Sequence, residues 1–190
     1  MKTIVVFASG SGTNAEKIIS YFKKVTAVEV SKVYTNNPNA GVITRADSKG
    51  VSTRVFNRES YNNELLDELK IANPTLVVLA GFLWKIPPSF IEAFPNKIIN
   101  IHPSLLPKYG GKGMYGMNVH KKIIENKESK SGISIHYVNK YYDEGEIITQ
   151  KTIEITYPTN ALNLSKEIHK LEMKYFPITI EKLLNNFNDE

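Results

Sequence analysis

Residues Lys2–Phe22 read KTIVVFASGSGTNAEKIISYF, and their order decides the fold. A β-branched apolar run over 2–8 has the character of a strand buried on both faces. The stretch SGSGTN breaks it. A helical pattern then follows over 14–25, with apolar Ile18, Ile19 and Phe22 at helical spacing. A buried strand, a glycine turn and a helix in succession make the opening unit of a parallel sheet. A secretory leader is the competing reading of the N-terminus, but the apolar part is too short for one and a helix pattern follows at once.

The alternation continues. Strands are predicted over 27–36, 52–57, 75–82 and 97–103. Helices are predicted over 41–50, closed by Gly50, over 60–73, capped by Ser60, and over 87–95, opened by prolines. The order β-α-β-α-β-α-β-α-β predicts a parallel sheet wrapped by helices. After residue 108 the character changes. A glycine-rich loop, KYGGKGMYG, leads into a helix over 117–126. Alternating strands over 131–139 and 146–156 suit a sheet edge. A long last helix over 159–187 carries Pro177, where a bend is expected. No repeat, low-complexity tract or linker interrupts the 190 residues, so one domain over 1–190 is expected.

Composition excludes several functions. No apolar run reaches membrane-spanning length, which argues against a membrane protein. The chain has no cysteine, hence neither disulfides nor thiolate metal sites, and this fits a reducing, cytoplasmic compartment. The four His residues are scattered without metal-ligand spacing, so no metal is expected. The net charge of +5 is dispersed and carried mostly by Lys. Nucleic acid calls for a clustered basic stripe, whereas a dispersed excess suits small anionic substrates steered to a cleft.

Gly10–Ala15, GSGTNA, matches G-x-G-x-x-G/A between a strand and a helix. Glycines let the backbone approach a ligand, and the free N–H groups of the helix start attract an anion. A dinucleotide also needs an acidic residue ending the second strand, which here reads YTNN. The loop therefore fits a single phosphate better than a nicotinamide cofactor. A tight turn without a ligand is the alternative.

Asn100 and His102, in IINIHPSLLP, are two apart on a strand and share one orientation at its C-terminal end. Ligands of parallel sheets sit beyond such ends. His moves protons near neutral pH, and Asn donates to a developing oxyanion, which together suit acyl transfer. Asp143 in YYDEGE is the preferred carboxylate to orient His102 and raise its pKa, with Glu144 and Glu146 as rivals that spacing does not separate. His136 is either a further partner or core. His120 and His169 read as ordinary residues of amphipathic helices, and Ser104 as a turn residue.

FASGSGTN, VVLAGF, NIHPSLLPKYGGKGMYG and DEGEII, in this order, resemble the phosphoribosylglycinamide formyltransferases of purine biosynthesis, within the folate-dependent formyltransferase superfamily. The resemblance implies a three-layer α/β/α sandwich with a mostly parallel seven-stranded sheet, Rossmann-like in its N-terminal half. It also implies formyl transfer from 10-formyltetrahydrofolate to the amine of 5-phosphoribosylglycinamide, without a metal. Motif by motif, it makes Asn100, His102 and Asp143 catalytic. It assigns Gly12, Thr13, Asn14 and Glu172 to the ribonucleotide, and Arg58, Leu83, Trp84, Lys85, Ile86 and Asn100 to the folate. Two departures stand out: Trp84 occupies a position where many members carry Arg, and the loop 108–117 differs from a shorter form. The expected partners are small molecules, with neither nucleic acid nor membrane, in a monomer or homodimer. Methionyl-tRNA formyltransferase adds a C-terminal domain and formyltetrahydrofolate hydrolase an N-terminal one. Neither addition is expected in a chain whose first strand starts at Lys2 and whose last helix ends near Glu190. A nucleotide-binding module would use the glycine loop alone and leave the Asn-His-Asp set unexplained.

Overall fold

The computed structural model describes residues 1–186, the Asn62 side chain excepted. The elements are β1 (Lys2–Phe7), α1 (Thr13–Phe22), β2 (Val28–Thr35), α2 (Gly41–Ser48), β3 (Thr53–Val55), α3 (Arg58–Asn63), α4 (Leu65–Ala72), β4 (Leu76–Leu79), α5 (Pro88–Ala93), β5 (Ile98–His102), α6 (Met117–Glu125), β6 (Lys130–Tyr137), β7 (Ile147–Glu154) and α7 (Ala161–Asn186). The strands form one seven-stranded sheet in the order β3-β2-β1-β4-β5-β6-β7. The first five are parallel. β6 joins β5 antiparallel and β7 closes the edge antiparallel.

Two-residue periodicity builds the three layers. Along β1, Ile4, Val6 and Ala8 face the side covered by α1, α2, α6 and α7. Val5 and Phe7 face the side covered by α3, α4 and α5. Along β4, Leu76, Val78 and Ala80 take the first side and Val77 and Leu79 the second. A strand whose two faces are both covered must be apolar throughout, which is why these segments read as unbroken hydrophobic runs.

Two local expectations change. The helix expected over 60–73 is two helices that meet at Glu64. Its cap is Asn57, not Ser60. The Asn57 side chain accepts from the Ser60 N–H at 2.9 Å and the Ser60 hydroxyl accepts from the Asn57 N–H at 3.1 Å. This reciprocal capping box satisfies two donors that a first turn leaves unpaired, and it moves the start outward to Arg58. The last helix runs through Pro177 to Asn186, with Pro177 buried on its inner face. Phe187, the end of the expected helix, lies outside the described residues.

The strand order reverses between β1 and β4. The first crossover from β1 leads to β2 on one side, while β4 pairs on the other. Such a switch point opens a crevice beyond the strand ends. The loops after β1, β4 and β5 all emerge there.

Candidate active site

A cleft of about 810 Å³ occupies this crevice. Its lining comes from the loop after β1 (Gly10–Asn14), the segment after β4 (Gly81–Ile86), the end of β5 (Asn100–Pro103), the glycine loop 111–117, the turn between β6 and β7, and α7. The floor is tied across the switch point. Ser9 N–H donates to the Gly81 carbonyl at 3.0 Å, and Ser9 Oγ accepts from the Leu83 N–H at 3.0 Å.

The glycine loop has a steric reason. Gly12 has a φ of 79°, in the left-handed region, and a Cβ there would lie 2.5 Å from Val42. It ends the turn and starts α1, leaving the N–H groups of Thr13 and Asn14 in a first turn without intrahelical partners. Across the cleft, Ser165, Ile168, His169 and Glu172 share one face of α7. Glu172 Oε2 accepts from Asn14 Nδ2 at 2.9 Å and lies 3.1 Å from His169 Nδ1. The Glu172 carboxylate pulls the His169 pKa up through that hydrogen bond, against a smaller opposing effect of burial. The predicted ribonucleotide residues Gly12, Thr13, Asn14 and Glu172 thus converge at one end.

Asn100, His102 and Asp143 also converge. β5 places Asn100 and His102 on alternate pairing positions opposite His136 and Ser134 of β6. Asp143 adopts a left-handed φ of 55° in the turn after β6, and Gly145 follows where any Cβ would strike the Tyr137 carbonyl. This tight turn folds Asp143 back over β5. Its Oδ2 accepts from the Gly111 N–H at 2.9 Å and lies 3.5 Å from His102 Nδ1. Its Oδ1 lies 3.5 Å from Asn100 Nδ2 and 3.6 Å from His136 Nε2. Glu144 and Glu146 are exposed and outside the cleft lining, so of the three acids Asp143 is the one beside His102.

His136 is a partner and not merely core. Its Nδ1 donates to the Tyr137 carbonyl at 2.8 Å. Nε2 is therefore free to accept from Asn100 Nδ2, 3.2 Å away, and this orients the Asn100 amide.

Burial pushes the Asp143 carboxyl up. The His136 and His102 rings, when they carry charge, and the Gly111 N–H outweigh it and hold the group below the usual carboxylate range. His102 departs from expectation. Asp143 does push its pKa up, but burial acts more strongly in the other direction, and the net effect is a lowered pKa. The ring is only 4% exposed, so its cation loses most of its hydration. Burial therefore favours the neutral ring of His102 in the free protein.

His120 was not legible as a site residue. It is 5% exposed, lines the cleft from α6, and its Nδ1 has no hydrogen-bond partner. Burial lowers its pKa, partly offset by Glu172. An apolar-face position on a helix gives no sign that the helix borders a cleft. His169 shares that history.

Of the predicted folate residues, Leu83, Trp84, Lys85, Ile86 and Asn100 line the cleft. The segment 83–86 rests on an aromatic cluster of Phe56, Tyr61, Phe82 and Trp84, and Tyr61 Oη donates to the Lys85 carbonyl at 3.0 Å. Arg58 lies outside this lining, in a neighbouring groove, with its guanidinium 3.6 Å from the Trp84 ring centre. Trp84 borders both spaces, so its ring is the wall between the cleft and Arg58. Ser104 is fully buried, with Oγ donating to the Lys108 carbonyl at 2.7 Å. Among the described residues no group of three or more His, Cys, Asp or Glu could hold a metal ion, and no helix is long and apolar enough to cross a membrane.

Comparison with known proteins agrees with this geometry. The family described as "Formyl transferase" matches residues 2–180. The phosphoribosylglycinamide formyltransferase of Bacillus subtilis is 35% identical over 191 residues, covering 97% of this chain and 95% of that protein. The Escherichia coli enzyme of the same name is 32% identical, covering 93% of this chain and 84% of its own. A chloroplastic counterpart from Arabidopsis thaliana is 37% identical, and the match spans 63% of that longer protein. Among solved structures, glycinamide ribonucleotide transformylase 1 from Geobacillus kaustophilus superimposes with a TM-score of 0.88 at 33% identity, covering 97% of this chain and 99% of that one. The chain belongs to the formyl transferase family.

Proposed function

We propose that this protein transfers a formyl group from 10-formyltetrahydrofolate to the amine of 5-phosphoribosylglycinamide, as a phosphoribosylglycinamide formyltransferase of purine biosynthesis. One observation carries the reading. The Asn100, His102 and Asp143 cluster shares a single cleft with the Gly12–Asn14 loop and Glu172. A formyl-transfer centre and a phosphate-type cradle in one space fit a ribonucleotide acceptor.

The roles follow from the side chains. The N–H groups that open α1 hold the substrate phosphate. Glu172, anchored by Asn14, faces the glycinamide part of the substrate. The segment 83–86 lines the pterin side, and Arg58 supports that wall by stacking on Trp84. The substrate nitrogen attacks the formyl carbon. The formyl oxygen becomes negative and is stabilised by His102 and by Asn100, whose second Nδ2 hydrogen is only weakly held by Asp143 at 3.5 Å. The carbon–N10 bond then breaks as the amine's proton passes to N10. Asp143 stays ionised and balances charge that develops on His102. No enzyme nucleophile is needed. We place the reaction in the cytoplasm and read 1–190 as a single domain, supported by the absence of cysteine and by the match along residues 2–180.

The test is an acceptor comparison. The protein is incubated with a 10-formylfolate and offered glycinamide ribonucleotide, methionyl-tRNA or water. Release of deformylated folate should accelerate with glycinamide ribonucleotide alone. Equal rates with all three would overturn the proposal.

A further inference from the structure

The Tyr109 carbonyl lies 2.7 Å from His102 Nε2. A carbonyl oxygen only accepts, so Nε2 carries a hydrogen. On the other side of the ring, Nδ1 lies 3.5 Å from Asp143 Oδ2. A neutral imidazole has one N–H and cannot serve both acceptors. The 2.7 Å contact takes it. Nδ1 then turns a lone pair toward the carboxylate, at a separation longer than an ordinary hydrogen bond. An Asp–His pair in a hydrolytic triad holds its proton the other way round, on Nδ1 and toward the carboxylate.

The carbonyl is fixed from several directions. Tyr109 has a left-handed φ of 59°, uncommon for a residue with a side chain. Its hydroxyl donates to Glu128 Oε1 at 2.8 Å and accepts from Asn126 Nδ2 at 2.8 Å. Just before it, the Lys108 carbonyl accepts from Ser104 Oγ. Two residues after it, the Gly111 N–H is bonded to Asp143 itself. One short loop therefore holds both members of the Asp–His pair. The titratable groups around His102 are Asp143 from the β6–β7 turn, His136 from β6, His120 from α6 and Glu172 from α7.

We propose that Tyr109 is a positioning residue whose carbonyl holds His102 as the Nε2–H tautomer in the free enzyme, keeping ready the N–H that the formyl oxygen takes over during transfer. This rests on the formyl-transfer reading of His102. The amide carbonyl is a weaker acceptor than an oxygen acquiring negative charge, so the N–H changes partner as the tetrahedral centre forms. Any second proton on the ring enters at Nδ1, facing the ionised Asp143 carboxylate.

The decisive measurement needs no substrate. The ring ¹⁵N shifts of His102 are recorded in the unliganded wild-type protein above its pKa, assigned by comparison with His102→Asn. A protonated Nε2 and an unprotonated Nδ1 are expected. The reverse tautomer overturns the proposal even if formyl transfer is confirmed. Conversely, failure of the acceptor comparison leaves this tautomer measurement unchanged. Tyr109→Gly removes the hydroxyl anchor and frees the backbone. It should move the ring toward Nδ1–H and lower kcat about 10-fold, with both KM values within about 2-fold of wild type. Tyr109→Phe, which keeps the ring, should do the same more weakly. Loss of kcat without a tautomer change, or a tautomer change without loss of kcat, would sink the assignment.

Discussion

Asp143→Asn isolates the charge at the centre of the cleft. The amide is nearly isosteric, so the tight turn at 143–145 and the acceptor for the Gly111 N–H survive. What is lost is a negative charge 3.5 Å from His102 Nδ1. With screening equivalent to a dielectric of about 20, that separation gives an attraction of about 5 kcal/mol for a full imidazolium. A transition state that places about half a charge on the ring loses about 2.5 kcal/mol, roughly 70-fold in kcat. KM for both substrates should change by less than about 3-fold, because neither substrate's anionic group is held by Asp143. Removing the carboxylate also takes away the strongest influence opposing burial at His102, leaving the Tyr109 carbonyl and Glu172, so its ionisation in the kcat/KM profile should move further below the ordinary value. Stability supplies a second readout. The folded-state pKa of Asp143 is depressed, so its contribution is present above the unfolded value of ~4 and is lost as pH falls through the folded value. Wild type should exceed the variant in urea at neutral pH, and the two should converge in acid. Initial rates from folate absorbance across pH decide the case. A kcat within about 2-fold of wild type, or an ionisation moved upward, would refute the reasoning.

Gly12→Ala should lower stability by about 2–5 kcal/mol, from about 1–2 for a left-handed backbone and about 1–3 for a Cβ placed 2.5 Å from Val42. At this chain length that is a Tm drop of about 10 °C by calorimetry, whereas Gly10→Ala, with nothing within 4 Å, should leave Tm in place. Equal Tm values for the two variants would contradict the packing described. The buried, neutral His102 and His120 have depressed pKa values. Their burial costs nothing above about pH 6.5 and destabilises progressively as pH falls below it. His169 acts in the opposite sense, because its raised pKa stabilises below the unfolded value and fades as pH rises. His120→Gln should therefore flatten the loss of Tm between pH 7 and pH 5, and an unchanged slope would show that His120 is not buried neutral.

The parts of this fold that were legible are those governed by strict periodicity. β1, β4 and β5 are covered on both faces, so nearly every residue had to be apolar. Asn100 stood out because a half-buried polar group interrupts such a run. The same two-residue rule put His102 beside it, and the alternation of strands and helices gave the parallel sheet, whereas the strand order that creates the switch point is seen only in the folded chain. Helix starts were less legible. Asn57 and Ser60 are both cap formers, and in a capping box both participate, so composition alone does not say which lies outside the helix. The choice of Asp143 over its acidic neighbours depended on backbone conformation, through a left-handed residue and a glycine with no room for a Cβ.

His120 and Tyr109 mark two different limits. A helix pattern says which residues face inward but not whether the inside is core or cleft, and His120 sits where α6 passes from one to the other. Tyr109 acts through its carbonyl, which every residue possesses, so no residue type could announce it. Its side chain matters only by fixing that carbonyl, through Glu128 and Asn126 at the turn before β6. The reading of His102 changes accordingly. Sequence places it opposite a carboxylate and suggests a charged ring. The folded chain buries it deeply enough to lower its pKa and supplies a nearer acceptor for the proton of a neutral ring, which supports the proposed role of Asp143 as a partner for charge that arises during the reaction.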